Sequence, residues 1–177
     1  NMGYEVVLVS SGAIAVGRNK LNMTSKPDSM RMKQAAAAVG QCSLMYLYDK
    51  FFGDYDKTVA QILLNAEDIE QEEKKENLIN AFNALLEMGV IPIVNENDSV
   101  SYKEIESEDR LFGDNDMLSA VVAVLCRARH LVILSDIDGF YDHDPRLYPN
   151  AKLIEQIDTI DDSVYALAGG AGSRRGT

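Results

Sequence analysis

Short apolar runs alternate with amphipathic stretches along the chain, and this alternation predicts strands followed by helices. The predicted strands are residues 4–10, 57–65, 90–98, 130–136 and 151–157. The predicted helices are residues 13–16, 30–52, 117–128 and 161–169, together with one that the charged stretch EQEEKKEN opens and Gly89 ends. Nearly continuous apolar strands are typical of a sheet covered on both faces. We therefore predict an α/β fold, a three-layer αβα sandwich with a mainly parallel central sheet.

The composition is that of a globular protein, because 46% of the 177 residues are hydrophobic and 25% are charged. The formal net charge of −11 repels nucleic-acid phosphates and anionic lipid, so we expect neither nucleic acid nor a membrane as a partner. The absence of a leader-like segment and of a long apolar run favours a cytoplasmic setting.

Cys42 and Cys126 lie in apolar helical runs and are expected to be small buried side chains, with a disulfide or a nucleophile as alternatives.

Polar residues follow four of the predicted strands, at residues 10–12, 65, 95–98 and 135–136. In an open α/β sheet, ligands bind beyond the carboxyl ends of the strands, where loops and helix N-termini converge. Helix capping is the alternative explanation and suffices for Asn65 alone. The segments NEND and GDND supply more carboxylates and amides than capping requires. We therefore expect a ligand site at this edge of the sheet.

The carboxylates of this predicted site restrict its chemistry. Asp98, Asp116 and Asp136 would repel one another unless ammonium groups, lysines or a divalent metal offset their charge. A hard cation bridging phosphate oxygens fits this requirement and points to Mg²⁺ in phosphoryl transfer. The turn at Gly12 offers backbone N–H groups at a helix start, which suits negative charge on a transferred phosphoryl group.

Six segments together carry a resemblance to a known family. They are VSSGAIAVG, KQAAAAVGQ, VIPIVNENDSV, FGDNDMLSA, LSDIDGFYDHDPR and AGGAGSRRGT. Each is weak evidence alone, but all six occur in the family's order and cover nearly the whole chain. The sequence resembles the amino acid kinase family, and within it the branch that acts on glutamate. The resemblance implies ATP-dependent phosphorylation of the side-chain carboxylate of L-glutamate to γ-glutamyl phosphate, the first step toward proline.

The resemblance also assigns residues to roles. Ser11, Asp98 and Asn115 would bind glutamate, with Asp98 facing its α-ammonium group. Gly12 would lie at the transferred phosphoryl group, and Asp116 would orient active-site lysines. The nucleotide would contact Ser135, Asp136, Asp144 and Pro145. No metal-ligating side chain is assigned, and neither histidine is expected to be catalytic because a carboxylate nucleophile needs no general base.

The chain also departs from the family pattern at both ends. Family members begin with a strand bearing a lysine and continue into a second lysine-bearing loop, so residues 1–177 are expected to form an incomplete amino acid kinase domain. The resemblance implies a homodimer or homotetramer inhibited by proline. Alternatives are a noncatalytic amino-acid sensor or assembly module, or a family member acting on acetylglutamate or aspartate. A nicotinamide-binding domain is disfavoured because no G-x-G-x-x-G follows a strand.

Overall fold

The computed structural model describes residues 3–100, 115–135 and 137–167. The chain divides into two compact units, Asn1–Leu131 and Val132–Thr177. The first unit contains β1 (Leu8–Val9), α1 (Ala13–Lys20), α2 (Met30–Gly53), β2 (Val59–Leu64), α3 (Ala66–Glu70), α4 (Glu72–Glu87), β3 (Ile91–Glu96) and α5 (Asn115–Leu125). The second unit contains α6 (Asp162–Leu167). None of the described helices is long and apolar enough to span a lipid bilayer.

The three strands of the first unit form a parallel sheet with β3 in the centre, in the order β1-β3-β2. Leu8 pairs with Ile93, and Val59 pairs with Ile91. Helices connect β1 to β2 and β2 to β3, as parallel neighbours require. This sheet confirms the predicted α/β class and its parallel pairing.

Alternate residues of the strands face two different helical layers. Val94 of β3 and Leu64 of β2 pack with Phe82 of α4 and with two residues of α5 in the main buried core. On the opposite face, Asn95 of β3 bonds to Gln41 of α2. Successive strand residues point to opposite faces of a sheet, so β3 separates α4 and α5 from α2. Within the first unit, the predicted three-layer arrangement is therefore confirmed.

Helices α1 and α2 pack with their backbones in close contact. A Cβ atom on Gly17 would overlap the carbonyl oxygen of Ala36, and a Cβ on Gly40 would overlap that of Ala13. Ala13, Ala36 and Ala37 are buried at the same contact. Ala36, Ala37 and Gly40 of the KQAAAAVGQ segment are thus small because larger side chains would push α1 away from α2.

The predicted helices 30–52 and 117–128 occur within three residues of their predicted ends, whereas the helix α3 is not predicted. Ser29 caps α2, since its hydroxyl accepts a hydrogen bond from the amide of Met32 at 3.4 Å. Gly89 follows α4 with a φ of 72°, which confirms it as the residue at which that helix ends. The predictions of 30–52 and 117–128 correspond to α2 and α5, and α1 is longer than the predicted 13–16.

Three strand predictions need correction. Residues 4–10 contain a strand only at Leu8–Val9. The apolar run 130–135 is not a strand, and its side chains are exposed, Leu134 by 90%. Asp136, the last residue of that predicted strand, lies outside the described residues. A parallel strand depends on ladder hydrogen bonds from a neighbour, and in the described part of the chain no strand pairs with this run.

The second unit is built mainly from turns. The predicted strand 151–157 is wrong, because only an isolated antiparallel bridge between Tyr141 and Leu153 forms there. The amide of Ile154 donates to the carbonyl of Phe140 at 2.7 Å beside this bridge. Asp161 caps α6, and hydrogen bonds led by the Ser163 hydroxyl lower the pKa of its carboxyl.

Candidate functional site

A cleft of about 460 Å³ lies between α2 and β2 and extends beyond the carboxyl end of β3. It also touches the first residue of α1. The lining residues are Ala13, Ala37, Ala38, Gln41, Cys42, Met45, Gln61, Leu63, Glu96, Asn97, Asp98 and Ser99. Its part beyond β3 lies at the edge of the sheet at which the polar strand ends predict a ligand site.

The turn after β1 brings the backbone to this cleft. The amide of Ser10 donates to the carbonyl of Val94 at 2.8 Å, and its hydroxyl bonds to the Tyr48 hydroxyl at 2.8 Å. Ser11 and Gly12 follow and are exposed. Ser10 therefore anchors the turn on the sheet, and the next two residues lead directly into Ala13 at the cleft wall.

Gly12 adopts a left-handed backbone conformation, with φ of 94° and ψ of 6°. That conformation is strained for residues with a side chain. No atom lies within 4 Å of the place where a Cβ would sit, so the glycine leaves open space beside the helix start. No side-chain hydrogen bond caps α1 at Gly12. The N–H groups of the first turn are suited to an anionic group in that space.

A tight turn after β3 places Asp98 in the cleft lining. The amide of Asn97 donates to the carbonyl of Leu64 at 2.9 Å, which continues the ladder between β2 and β3. The Ser99 hydroxyl then donates to the Asn97 side chain at 2.7 Å. Glu96 and Asp98 both line the cleft, so their negative charge favours a cationic group such as an ammonium there.

A hydrogen bond that the sequence does not predict joins Gln41 of the cleft wall to Asn95 of β3. Asn95 is only 3% exposed, and its Nδ2 donates to Oε1 of Gln41 at 3.0 Å. Its Oδ1 accepts from the Glu96 amide at 2.9 Å. Gln41 itself lines the cleft. The polar segment 95–98 is predicted to lie at the site, but its contact with Gln41 is not, because the two residues are 54 positions apart along the chain.

Asn115 and Asp116 form the start of α5, where a carboxylate interacts favourably with the helix dipole. The Ser119 hydroxyl donates to the carbonyl of Asp116 at 2.6 Å. Leu118, which is fully buried, fixes this end of α5 against the core of the first unit. Both predicted site residues are half-buried, and neither lines the cleft. Of the site residues predicted in the first unit, Asp98 lines the cleft. Ser11 and Gly12 are not in the lining but directly precede Ala13, which is, and Asn115 and Asp116 are outside it.

The residues predicted to contact a nucleotide belong to the second unit. Ser135 is exposed, and Asp136 lies outside the described residues. Oδ1 of Asp144 accepts from the Arg146 amide at 2.9 Å, and the Asp144 carbonyl accepts from the Tyr148 amide at 2.8 Å. Asp144 therefore has a clear structural role in forming the turn that contains Pro145.

The cysteine prediction is only partly correct. Cys42 is exposed and lines the cleft. Cys126 packs against the core, and burial raises the pKa of its thiol to about 11.

In the part of the chain that the structure describes, no three His, Cys, Asp or Glu residues cluster closely enough to hold a metal ion.

Comparisons with known proteins agree on one family. The family model described as "Amino acid kinase family" matches residues 1–173. A protein named glutamate 5-kinase from Clostridium perfringens is 56% identical over all 177 residues, and the chain spans 65% of its length. Proteins of the same name from Caldanaerobacter subterraneus and Listeria innocua are each 49% identical over the whole chain, which spans 46% and 64% of their lengths.

Proposed function

The chain belongs to the amino acid kinase family, and on that premise we propose that it binds the acceptor substrate of a glutamate 5-kinase. Such an enzyme transfers the γ-phosphoryl group of ATP to the side-chain carboxylate of L-glutamate. The relatives that match the whole chain carry that name, which supports the choice of glutamate over other acceptors.

One observation carries the proposal most directly. Glu96 and Asp98 line the same cleft as Ala13, the residue that follows the open Gly12 turn. The two carboxylates suit the α-ammonium group of an amino acid, and the backbone N–H groups at Gly12 suit an anionic phosphoryl group. A zwitterionic substrate with a second carboxylate matches both ends of this arrangement.

In the proposed reaction, a side-chain carboxylate oxygen of glutamate attacks the γ-phosphorus, and the bond to the bridging oxygen of ADP breaks. The products are γ-glutamyl phosphate and ADP. The attacking oxygen is already ionised, so the protein contributes alignment and charge stabilisation, with no proton to remove. We assign Ser11, Asp98 and Asn115 to glutamate, Gly12 to the transferred phosphoryl group, and Asp116 to orienting lysines.

The nucleotide part of the proposal rests on the second unit. We propose that ATP is bound by Ser135, Asp136, Asp144 and Pro145, and that Mg²⁺ binds to the ATP phosphates. We assign no protein ligand to Mg²⁺. We further propose that the protein acts in the cytoplasm and assembles into a homodimer or homotetramer. We also propose that proline inhibits it.

The direct test measures ADP release by the full-length gene product with ATP and Mg²⁺. We expect saturable release that depends on L-glutamate, with L-aspartate and N-acetyl-L-glutamate as poor substitutes. Release that depends on either substitute would assign the chain to another member of the family. Glutamate binding with no ADP release would favour an amino-acid sensor, and the kinase proposal would then be wrong.

A further inference from the structure

The hydrogen bonds of Asn95 determine which end of the Gln41 side chain is available to the cleft. A backbone N–H can only donate, so the 2.9 Å bond from the Glu96 amide requires the oxygen of the Asn95 side chain on that side. Nδ2 must then face Gln41, at 3.0 Å. Since an amide nitrogen donates and does not accept, Gln41 has to present its oxygen to Asn95.

This orientation leaves the Nε2 amino group of Gln41 as the end available to a ligand. Gln41 lines the cleft together with Glu96 and Asp98, which are acidic. Nε2 adds two hydrogen-bond donors to a wall that otherwise attracts positive charge. A site with carboxylates and amide donors on one cleft matches both charged groups of an amino acid.

The backbone around Gln41 is rigid enough to hold such a donor in place. Its neighbour Gly40 approaches the carbonyl of Ala13 so closely that no side chain fits between them. Ala13 directly follows Gly12, so the position of Gln41 is tied to the turn assigned to the phosphoryl group. Asn95 is buried on the central strand of the sheet, which fixes the other contact of the Gln41 amide.

We propose that Gln41 binds the acceptor substrate by donating from Nε2 to one of its carboxylate oxygens, and that Asn95 is a positioning residue that holds the Gln41 amide in this orientation. The inference rests on the proposed glutamate site and adds to it a residue outside the assigned set.

The first test is the Gln41→Glu variant of the full-length gene product. The new carboxylate can still accept from Asn95, but it replaces the Nε2 donors with a charged acceptor facing the substrate. We expect the KM for L-glutamate to rise by about 10- to 100-fold, the range expected for losing a hydrogen bond to a charged group. The KM for ATP and the melting temperature should stay close to those of the wild type.

The matched control is Gln34→Glu, which makes the same chemical change on α2 outside the cleft lining. We expect the KM for glutamate of this variant to be unchanged. If Gln41→Glu lowers the melting temperature, Gln41→Met takes its place, because it removes the donors without adding charge. An unchanged KM for glutamate in a folded Gln41 variant would overturn the inference.

The second test reverses the orientation of Gln41 without changing that residue. In Asn95→Asp, one carboxylate oxygen still accepts from the Glu96 amide, and the other accepts where Nδ2 donated. Gln41 must then turn its amino group toward the sheet and its oxygen toward the cleft. We expect a rise in the KM for glutamate comparable with that of Gln41→Glu, with a similar kcat.

These tests separate the inference from the function on which it rests. Glutamate-dependent ADP release by the wild type, with unchanged KM values in the Gln41 and Asn95 variants, would overturn the role of the pair and leave the kinase proposal standing. No glutamate-dependent release by the wild type would overturn both.

Discussion

The left-handed conformation of Gly12 determines how the backbone enters α1 beside the cleft. Its φ of 94° and the open space around it are two separate properties. The first explains why glycine is stable there, and the second provides room for a ligand. Ser10 and Val94 hold the turn on the sheet, so the open space stays next to the strand ends.

A Gly12→Ala substitution should affect both stability and turnover. We expect a loss of about 1 kcal/mol in the free energy of unfolding, since alanine is strained at positive φ. We also expect kcat to fall, because the methyl group occupies the space assigned to the phosphoryl group. Urea unfolding and initial rates measure the two effects.

The control is Gly89→Ala, which has a positive φ of 72° and open space around it. Gly89 precedes β3, whereas the cleft residues 96–99 lie at the other end of that strand. The control variant should lose similar stability while kcat stays unchanged. Equal losses of kcat in the two variants would contradict the role given to Gly12.

The two cysteines should differ in their reaction with a thiol reagent. At pH 8 the Cys126 thiol remains protonated, because burial raises its pKa to about 11, and only the thiolate is nucleophilic. Cys42 is exposed and should be modified first.

L-Glutamate should slow the modification of Cys42, since that residue lines the cleft. Mass spectrometry of Cys42→Ser and the wild type identifies the modified residue, and equal rates with and without glutamate would argue against binding at this cleft.

At the scale of elements, the contact between α1 and α2 positions the cleft. The two helices approach through Gly17, Gly40 and buried alanines, and α1 begins at the Gly12 turn. A change in the distance between these helices therefore moves the turn relative to Gln41 and the end of β3.

Gly40→Ala should destabilise the protein by about 1–3 kcal/mol, the usual cost of inserting a methyl group into a close-packed contact. Because the new methyl group pushes α1 away, the KM for glutamate should rise as well. Gly53→Ala at the end of the same helix is the control, since open space surrounds that glycine. Similar urea midpoints for both variants would show that the helix contact tolerates the extra volume.

The sequence predicted those elements whose structure depends on local signals. β2 and β3 are apolar runs next to clear helix boundaries, and both occur within two residues of the predicted ends. The run at 130–135 has the same apolar character but does not pair as a strand among the described residues. Pairing depends on a neighbouring strand, and the pattern of one segment does not identify that neighbour.

At the scale of the whole molecule, the candidate site is assembled from segments that are distant along the chain. The sequence predicts a site at Asp98 and the Gly12 turn because polar residues and glycine follow apolar strands. It did not find the contact between Asn95 and Gln41, since the helical crossover between α2 and β3 creates that contact. The roles of all the predicted site residues remain predictions, those of Asp98 and Gly12 as much as those of Asn115, Asp116 and the nucleotide residues.

The central claim is that the cleft between α2 and β2 binds L-glutamate through Asp98. Isothermal titration of L-glutamate into the full-length gene product and its Asp98→Asn variant tests it most directly. We predict that the variant, which keeps the shape of the side chain and loses its charge, binds glutamate about 10- to 100-fold more weakly. Equal affinity in the two proteins would contradict the claim.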